Sequence, residues 1–301
     1  MYEYASNRVP LRLLSENAGV LAVIVETLGT SYRTVGTMMG FLADGRRAGS
    51  LSSGCIEGDI AEHARTALKT GESRTLRYGA GSPFFDIKLP CGGGLTILLV
   101  PNPDQGLLRQ VLAMGRDRLE AHLSVGLADG DLCLVDQPHD MAGRLVVTLR
   151  PELRFWVYGH GIEAIAFASM THAAGYDVTL FGQESLQTDL SKLGALNVQT
   201  VPSFRRHVCP KPDSRTAVTL FFHDHENEAR ILAQFLPSPA FFIGAQGSLL
   251  ARQRLLADLR HQGVSEADIS RLQPEFGLIP SCRDPRTLAV SVMAHVLSRA
   301  G

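Results

Sequence analysis

The stretch FWVYGHGIEAIAFASMTHAAGYDVTLF, residues 155–181, decides the fold. Phe155-Trp156-Val157-Tyr158 is aromatic and β-branched, which predicts a short strand. Gly159-His160-Gly161 supplies a tight turn, Ile162 through Ala174 is a helical run that Gly175 can close, and Tyr176–Phe181 predicts the next strand. In this βαβ unit Gly159, Gly161 and Ala164 fit the GxGxxG/A spacing, at the place where a helix N-terminus offers free N–H groups to a phosphate or other anion. The acid that completes a dinucleotide signature is not at the strand end, where Phe181 is followed by Gly182-Gln183-Glu184. A Rossmann-like fold is therefore expected, with NAD(P) or FAD an alternative occupant rather than the expected one.

Downstream residues extend the same pattern. Ala217–Phe222 predicts a buried strand, then comes His223-Asp224-His225-Glu226-Asn227-Glu228, then a helix over Ala229–Phe235. Imidazoles and carboxylates at a strand-to-helix junction can serve as metal ligands or proton shuttles, although the spacing matches no strong metal signature and acids are ordinary in a first helical turn. His223 stands at the sheet edge where open α/β folds bind ligands. Ala240–Ile243 predicts another strand, followed by Gly244-Ala245-Gln246-Gly247-Ser248 and a helix to about His261 whose Arg252 and Arg254 either meet an anion or face water. Ser265 fits a helix cap, Pro274–Leu278 a loop, and Asp284-Pro285 the start of a last helix ending near Arg299. Residues 151–301 are thus expected to form an open parallel sheet.

Residues 1–150 read as a smaller α+β domain. Residues 20–27, VLAVIVET, predict a buried strand, and Asp44-Gly45 a turn in a hairpin. Ser52-Ser53-Gly54-Cys55-Ile56-Glu57 leads into a helix with Ile60, Ala64, Ala67 and Leu68 on one face and Gly71 at its end. If Ser52 or Ser53 caps that helix, the Cys55 sulfur lies in its first turn, where the dipole favours a thiolate; Glu57 and Asp59 would oppose that effect. A buried structural cysteine is an equal alternative.

Strands are expected near 74–78 and 84–89, before Cys91-Gly92-Gly93-Gly94 and the strand-like TILLVP. Successive glycines let backbone approach a bulky ligand, or simply make a tight turn. Two Cys-Gly turns in one small domain suggest a shared pocket. Residues 104–118 predict a helix, Asp129-Gly130 the turn of a second hairpin, and Cys133 a core position in its second strand. The domain boundary is expected near Pro151.

The chain has 301 residues, with 29 Lys and Arg against 30 Asp and Glu, so no whole-molecule field draws it to nucleic acid or an anionic membrane. It carries no basic leader followed by an apolar run, and no stretch of about 18 uncharged apolar residues, which predicts a soluble cytoplasmic protein. Its five cysteines are scattered and include no CxxC, unlike a disulfide framework or a zinc knuckle.

Taken in order, Gly49–Glu57, Cys91-Gly92-Gly93, Gly159-His160-Gly161, His223-Asp224-His225, Ile243–Ser248 and Pro274–Leu278 resemble the XdhC/CoxI family of accessory proteins for molybdenum hydroxylases, over nearly the whole chain. The chain departs from the pattern at Phe222, Glu228, His295 and Gly182-Gln183. The resemblance implies a chaperone rather than a catalyst. Such a protein binds the molybdenum cofactor (molybdopterin) transiently, presents it to a cysteine desulfurase for exchange of an oxo for a sulfido ligand, and delivers it to xanthine dehydrogenase or a related hydroxylase. It also implies a homodimer, molybdenum contacts from Cys55 and Cys91, and cofactor contacts from Gly54, Gly92, Gly93, Gly159, Gly161 and His223. The residue-level alternative is an NAD(P)- or FAD-dependent oxidoreductase that uses the Rossmann turn.

Overall fold

A computed structural model describes residues 6–52, 54, 56–79, 92–183, 196–222 and 225–300. Contacts divide the chain between Pro151 and Glu152 into two compact units.

The first unit is built on a five-stranded antiparallel sheet of order β3-β2-β1-β5-β4. Its strands are β1 (Gly19–Leu28), β2 (Met38–Leu42), β3 (Arg47–Gly49), β4 (Arg74–Gly79) and β5 (Gly94–Pro101). Strand β1 is apolar without alternation because both of its faces are covered. Val20, Ala22 and Ile24 pack under helix α2 (Glu57–Thr70), together with Ile60, Ala64 and Ala67. Leu21 and Val23 pack on the opposite face with helices α1 (Arg8–Glu16) and α3 (Gln105–Arg116) and with a three-stranded sheet of β6 (Ala121–Gly126), β7 (Leu132–Val135) and β8 (Arg144–Leu149).

Both expected hairpins form, about Asp44-Gly45 and Asp129-Gly130, and Gly71 closes α2 in the left-handed conformation. Two expectations change. Ile56, not a serine, is the N-cap of α2, and Cys55 itself lies outside the described residues. Cys133 is half-buried, and the Arg144 guanidinium donates to its sulfur at 3.3 Å, so it is not a core position. Strand β8 also forms in the stretch before Pro151, whose sequence marks only the domain boundary. The segment 84–89 lies outside the described residues.

The second unit is a five-stranded, all-parallel sheet of order β11-β10-β9-β12-β13. Its strands are β9 (Arg154–Gly159), β10 (Asp177–Gly182), β11 (Asn197–Thr200), β12 (Thr216–Phe221) and β13 (Phe242–Ala245). Helix α4 (Ile162–Ala173) and the last helix, α8 (Pro285–Ser298), cover one face, where Phe155, Val157 and Phe221 meet Phe167, Val292 and Val296. Helices α5 (His225–Phe235) and α6 (Leu249–His261) cover the other, over Trp156, Tyr158, Val218 and Leu220. A short helix, α7 (Glu266–Ile269), follows under a Ser265 cap. The fold is thus the expected smaller α+β domain followed by an open parallel Rossmann-like sheet. The helix expected over Ala229–Phe235 starts earlier, at His225.

Strand order reverses between β9 and β12, the switch point at which such sheets bind ligands outside their C-terminal ends. Among the described residues no helix is long and apolar enough to cross a membrane.

Candidate functional site

In the N-terminal unit the chemistry-bearing loops are set by one carboxylate. Glu57, only 4% exposed, folds back from the start of α2 onto the loop that precedes it. Its oxygens accept from the Ser50 hydroxyl at 3.2 Å, the Leu51 N–H at 3.2 Å, the Ser52 N–H at 2.9 Å, the Ser52 hydroxyl at 2.7 Å and the Ile56 N–H at 3.3 Å. Burial pushes this carboxyl up, but the Ser52 hydroxyl and the N–H groups of Ser52, Glu57 and Gly54 outweigh it and hold the pKa at about 2. Glu57 is therefore a negative charge committed to shaping the Ser50–Gly54 turn. Its position in the sequence marks it only as an acid in a first helical turn.

The second glycine turn reaches the same neighbourhood from β5. A side chain on Gly93 would run into the carbonyl oxygens of Thr30 and Leu28, so only glycine lets this turn lie against the loop that leaves β1. That loop, with Tyr32, Arg33, Thr34 and Thr37, lines a polar cavity of about 260 Å³ together with Asn7 and Ser50. Among the described residues, the buried Nε of Arg33 has no hydrogen-bond partner. A guanidinium N–H held away from water and aimed at no acceptor is suited to receive an anion. Loop 29–37 thus touches the Gly92-Gly93 turn at one end and shares a cavity with the Ser50–Gly54 turn at the other. Arg33 was not visible as a site residue in the sequence, because a lone arginine in a polar loop carries no spacing signal.

Gly54 and Gly92 are exposed with φ of +106° and +69°, as turns of this kind require. Cys55, Cys91 and His223 lie outside the described residues. Among the described residues no three His, Cys, Asp or Glu side chains gather as a metal-ligand group.

In the C-terminal unit Gly159 ends β9 and Gly161 is the N-cap of α4. A Cβ on Gly159 would strike the Phe221 carbonyl oxygen, so this glycine is required first by strand packing at the switch point. His160 stands between them with a buried Nδ1 that has no hydrogen-bond partner among the described residues, its ring 6.2 Å from that of Phe222. A cavity of about 1000 Å³ lies at the ends of β12 and β13. It brings together two segments distant in sequence, Ala245–Arg252 and Pro274–Arg283, with Phe222 and Glu228. Arg252 is half-buried there, but its guanidinium donates to the carbonyls of Gln273 at 2.7 Å and Leu272 at 3.4 Å, so it ties the two segments together rather than facing water. Arg254 is exposed.

An α+β domain with two glycine turns, followed by a parallel Rossmann-like domain that lacks an acid at the end of its second strand, defines a two-domain protein whose Rossmann half does not carry the full dinucleotide signature. Comparison with known proteins makes the assignment specific. Residues 13–79 match the XdhC and CoxI family and residues 155–296 the XdhC Rossmann domain. The chain is 35% identical, over 294 residues, to the molybdenum cofactor insertion chaperone PaoD of Escherichia coli, spanning 95% of this chain and 85% of that protein. It is 46% identical, over an alignment of 321 residues, to a probable xanthine dehydrogenase subunit of Bacillus subtilis, spanning 95% and 94%. A crystal structure described as a xanthine dehydrogenase from Bacillus halodurans shares the fold, with a TM-score of 0.80 at 20% identity over 97% of this chain and 95% of that one. The chain belongs to the XdhC/CoxI family.

Proposed function

We propose that the protein is an accessory factor that binds the molybdenum cofactor, supports its sulfuration and delivers it to xanthine dehydrogenase or a related molybdenum hydroxylase. The observation that carries this reading is the convergence of the Gly92-Gly93 turn and the Ser50–Gly54 turn on loop 29–37, around a polar cavity with an unsatisfied Arg33 Nε. The relatives support it, one of them being a molybdenum cofactor insertion chaperone.

The cofactor is cargo here, and the protein's part is to hold it. The Arg33 guanidinium and the hydroxyls of Thr34 and Thr37 would take its phosphate, since a phosphate supplies the acceptors that a buried N–H lacks. Cys55 and Cys91, next to the glycine turns in sequence, would offer soft thiolates to molybdenum. Gly54, Gly92 and Gly93 would let backbone approach the cofactor in the N-terminal domain, and Gly159, Gly161 and His223 would be cofactor contacts of the Rossmann domain's own. In this reading the protein is cytoplasmic, acts as a homodimer, and meets a cysteine desulfurase before the hydroxylase.

Anaerobic purification from a cofactor-producing host should yield protein-bound molybdenum and pterin in near-equal amounts, reduced at least fivefold in Cys55→Ala, Cys91→Ala or Arg33→Ala. Wild-type protein free of both, together with unchanged hydroxylase maturation when the gene is deleted, would overturn the proposal. The alternative, an oxidoreductase using the turn at Gly159 and Gly161, requires submillimolar binding of NAD(H), NADP(H) or FAD by titration calorimetry.

A further inference from the structure

The chain between β11 and β12 carries a second group of chemistry-bearing side chains, on the face of the Rossmann sheet that α5 and α6 cover. A short 3₁₀ turn, Phe204–Arg206, ends at His207, whose backbone is extended. In an extended chain, alternate side chains share a face. Val208 is 84% exposed, whereas His207 and Cys209 turn inward. The His207 ring lies 5.8 Å from that of Tyr158, and the Cys209 sulfur lies beside the Tyr158 hydroxyl. One side chain fixes both residues. The Gln234 amide, on α5, donates to the His207 carbonyl at 3.2 Å and accepts from the Cys209 N–H at 2.9 Å. The His-x-Cys spacing is therefore set in the backbone before any ligand arrives.

The polar atoms of this group are left wanting. His207 Nε2 is buried and has no hydrogen-bond partner among the described residues. Tyr158 is wholly buried, and its hydroxyl, although beside Cys209, meets no acceptor in hydrogen-bond geometry among the described residues. The surrounding wall is aromatic: Phe181 stacks on Tyr158 at 4.4 Å, Phe204 meets the His207 ring edge-on at 6.4 Å, and Phe235 packs 5.4 Å from Tyr158. A buried nitrogen lone pair beside a thiol, without a proton donor to occupy it, is the donor set of a metal rather than of a hydrogen-bonded core.

Charge decides which metal. Zinc takes four ligands in a tetrahedron, and one thiolate would leave its second positive charge uncompensated inside an aromatic wall. A monovalent d10 ion such as copper(I) is satisfied by two or three ligands, one of them a soft thiolate. With one thiolate and one neutral imidazole it makes a site of zero net charge, and the ring faces around it favour a cation.

We infer that Cys209 and His207 form a binding site for a soft monovalent metal ion of the copper(I) class, with the Tyr158 hydroxyl donating to the bound sulfur. Binding releases the thiol proton to solvent, forms one metal–sulfur and one metal–nitrogen bond, and changes no oxidation state. The site lies within the Rossmann domain and does not depend on the cofactor reading above.

The test is an anaerobic titration of the reduced full-length protein with copper(I) buffered by bicinchoninate, in a Cys55→Ala, Cys91→Ala background so that those thiols do not compete. This protein retains one equivalent, and X-ray absorption shows one sulfur and imidazole nitrogen around the metal. Cys209→Ser, a one-atom change, and His207→Ala each weaken retention by at least about a hundredfold, more than the roughly tenfold expected when Tyr158→Phe removes only a partner of the ligand. Cys133→Ala and Cys282→Ala leave it unchanged. The inference is overturned if no copper(I) is retained, or if folded Cys209→Ser and His207→Ala retain it as well as their parent. Stoichiometric zinc(II) binding that is lost in Cys209→Ser would overturn the assignment to a monovalent ion.

Discussion

Glu57 holds Ser52 by both ends: one carboxylate oxygen accepts from its hydroxyl at 2.7 Å and the other from its N–H at 2.9 Å. This shape brings the turn before Cys55 under the control of a residue two positions beyond it. Glu57→Gln keeps the volume but loses the charge and turns one acceptor into a donor facing N–H groups. Charge-assisted hydrogen bonds are worth about 1.5–3 kcal/mol each, and donors left buried add their own penalty. A loss of about 2–4 kcal/mol from the N-terminal domain is expected, measured by urea denaturation, together with reduced co-purification of cofactor.

The same carboxylate sets an acid limit. Its folded pKa of about 2 lies below the ordinary glutamate value of 4.5, so its stabilising contribution is complete above about pH 4.5 and is lost as pH falls toward 2. The contribution approaches about 3 kcal/mol, from the size of the shift. Denaturation midpoints of wild type should fall more steeply between pH 5 and 3 than those of Glu57→Gln, and parallel curves would remove Glu57 from this role.

Much of the fold is readable in the residues. Asp44-Gly45 and Asp129-Gly130 fix two hairpins through turn chemistry, and the Phe155–Phe181 stretch fixes the βαβ unit because strand, glycine turn and helix follow at full length. What escapes reading is structure made by tertiary partners. Helix α1 has no side-chain cap and only nine residues, and it is held by burial of Leu11 and Leu14. Strand β8 follows a Pro- and Gly-bearing loop and owes its existence to pairing with β6. Strand β11 is a four-residue edge with a mostly exposed sequence. For the site, the glycines were legible because backbone demands leave a composition signal. Arg33 was not legible as a site residue, since what marks it is burial against a cavity formed by distant segments.

Gly93→Ala tests the convergence of the two turns. Its new methyl would overlap the Thr30 and Leu28 carbonyl oxygens, which are backbone and cannot swing aside. Overpacking of this kind costs about 1–3 kcal/mol. Because the displaced segment leads into Tyr32 and Arg33, cofactor retention should fall at least as far as in Arg33→Ala, by metal and pterin assay. Gly92→Ala, which meets nothing within 4 Å, is strained only by its φ of +69° and should be milder.

Thiol labelling separates the cysteines. Burial pushes Cys209 up to about 11, partly offset by the Tyr158 hydroxyl beside it, so at pH 8 only about a thousandth is thiolate. Iodoacetamide at pH 8 should leave Cys209 unmodified in the native protein and label it on unfolding. Rapid native labelling, read by peptide mass spectrometry, would contradict the packing around Tyr158.

His295 gives the C-terminal cavity a pH dependence. Its Nδ1 accepts from the Gly277 N–H, which requires that nitrogen to be unprotonated. Burial lowers its pKa, the Arg299 charge lowers it further, and the Glu275 charge partly opposes both. The folded state therefore favours the neutral ring, so the contribution is complete above the ordinary value of 6.5 and shrinks as pH falls below it, where the unfolded chain takes up the proton first. Protonation also removes the acceptor that holds Gly277 and frees the loop carrying Phe276, one wall of the cavity. Hydrogen exchange at the Gly277 and Ile279 amides, corrected for intrinsic rates, should accelerate between pH 7.5 and 5.5. In His295→Gln, whose amide oxygen accepts at any of these pH values, the trend should flatten; an unchanged pH trend in that variant would place the titrating group elsewhere.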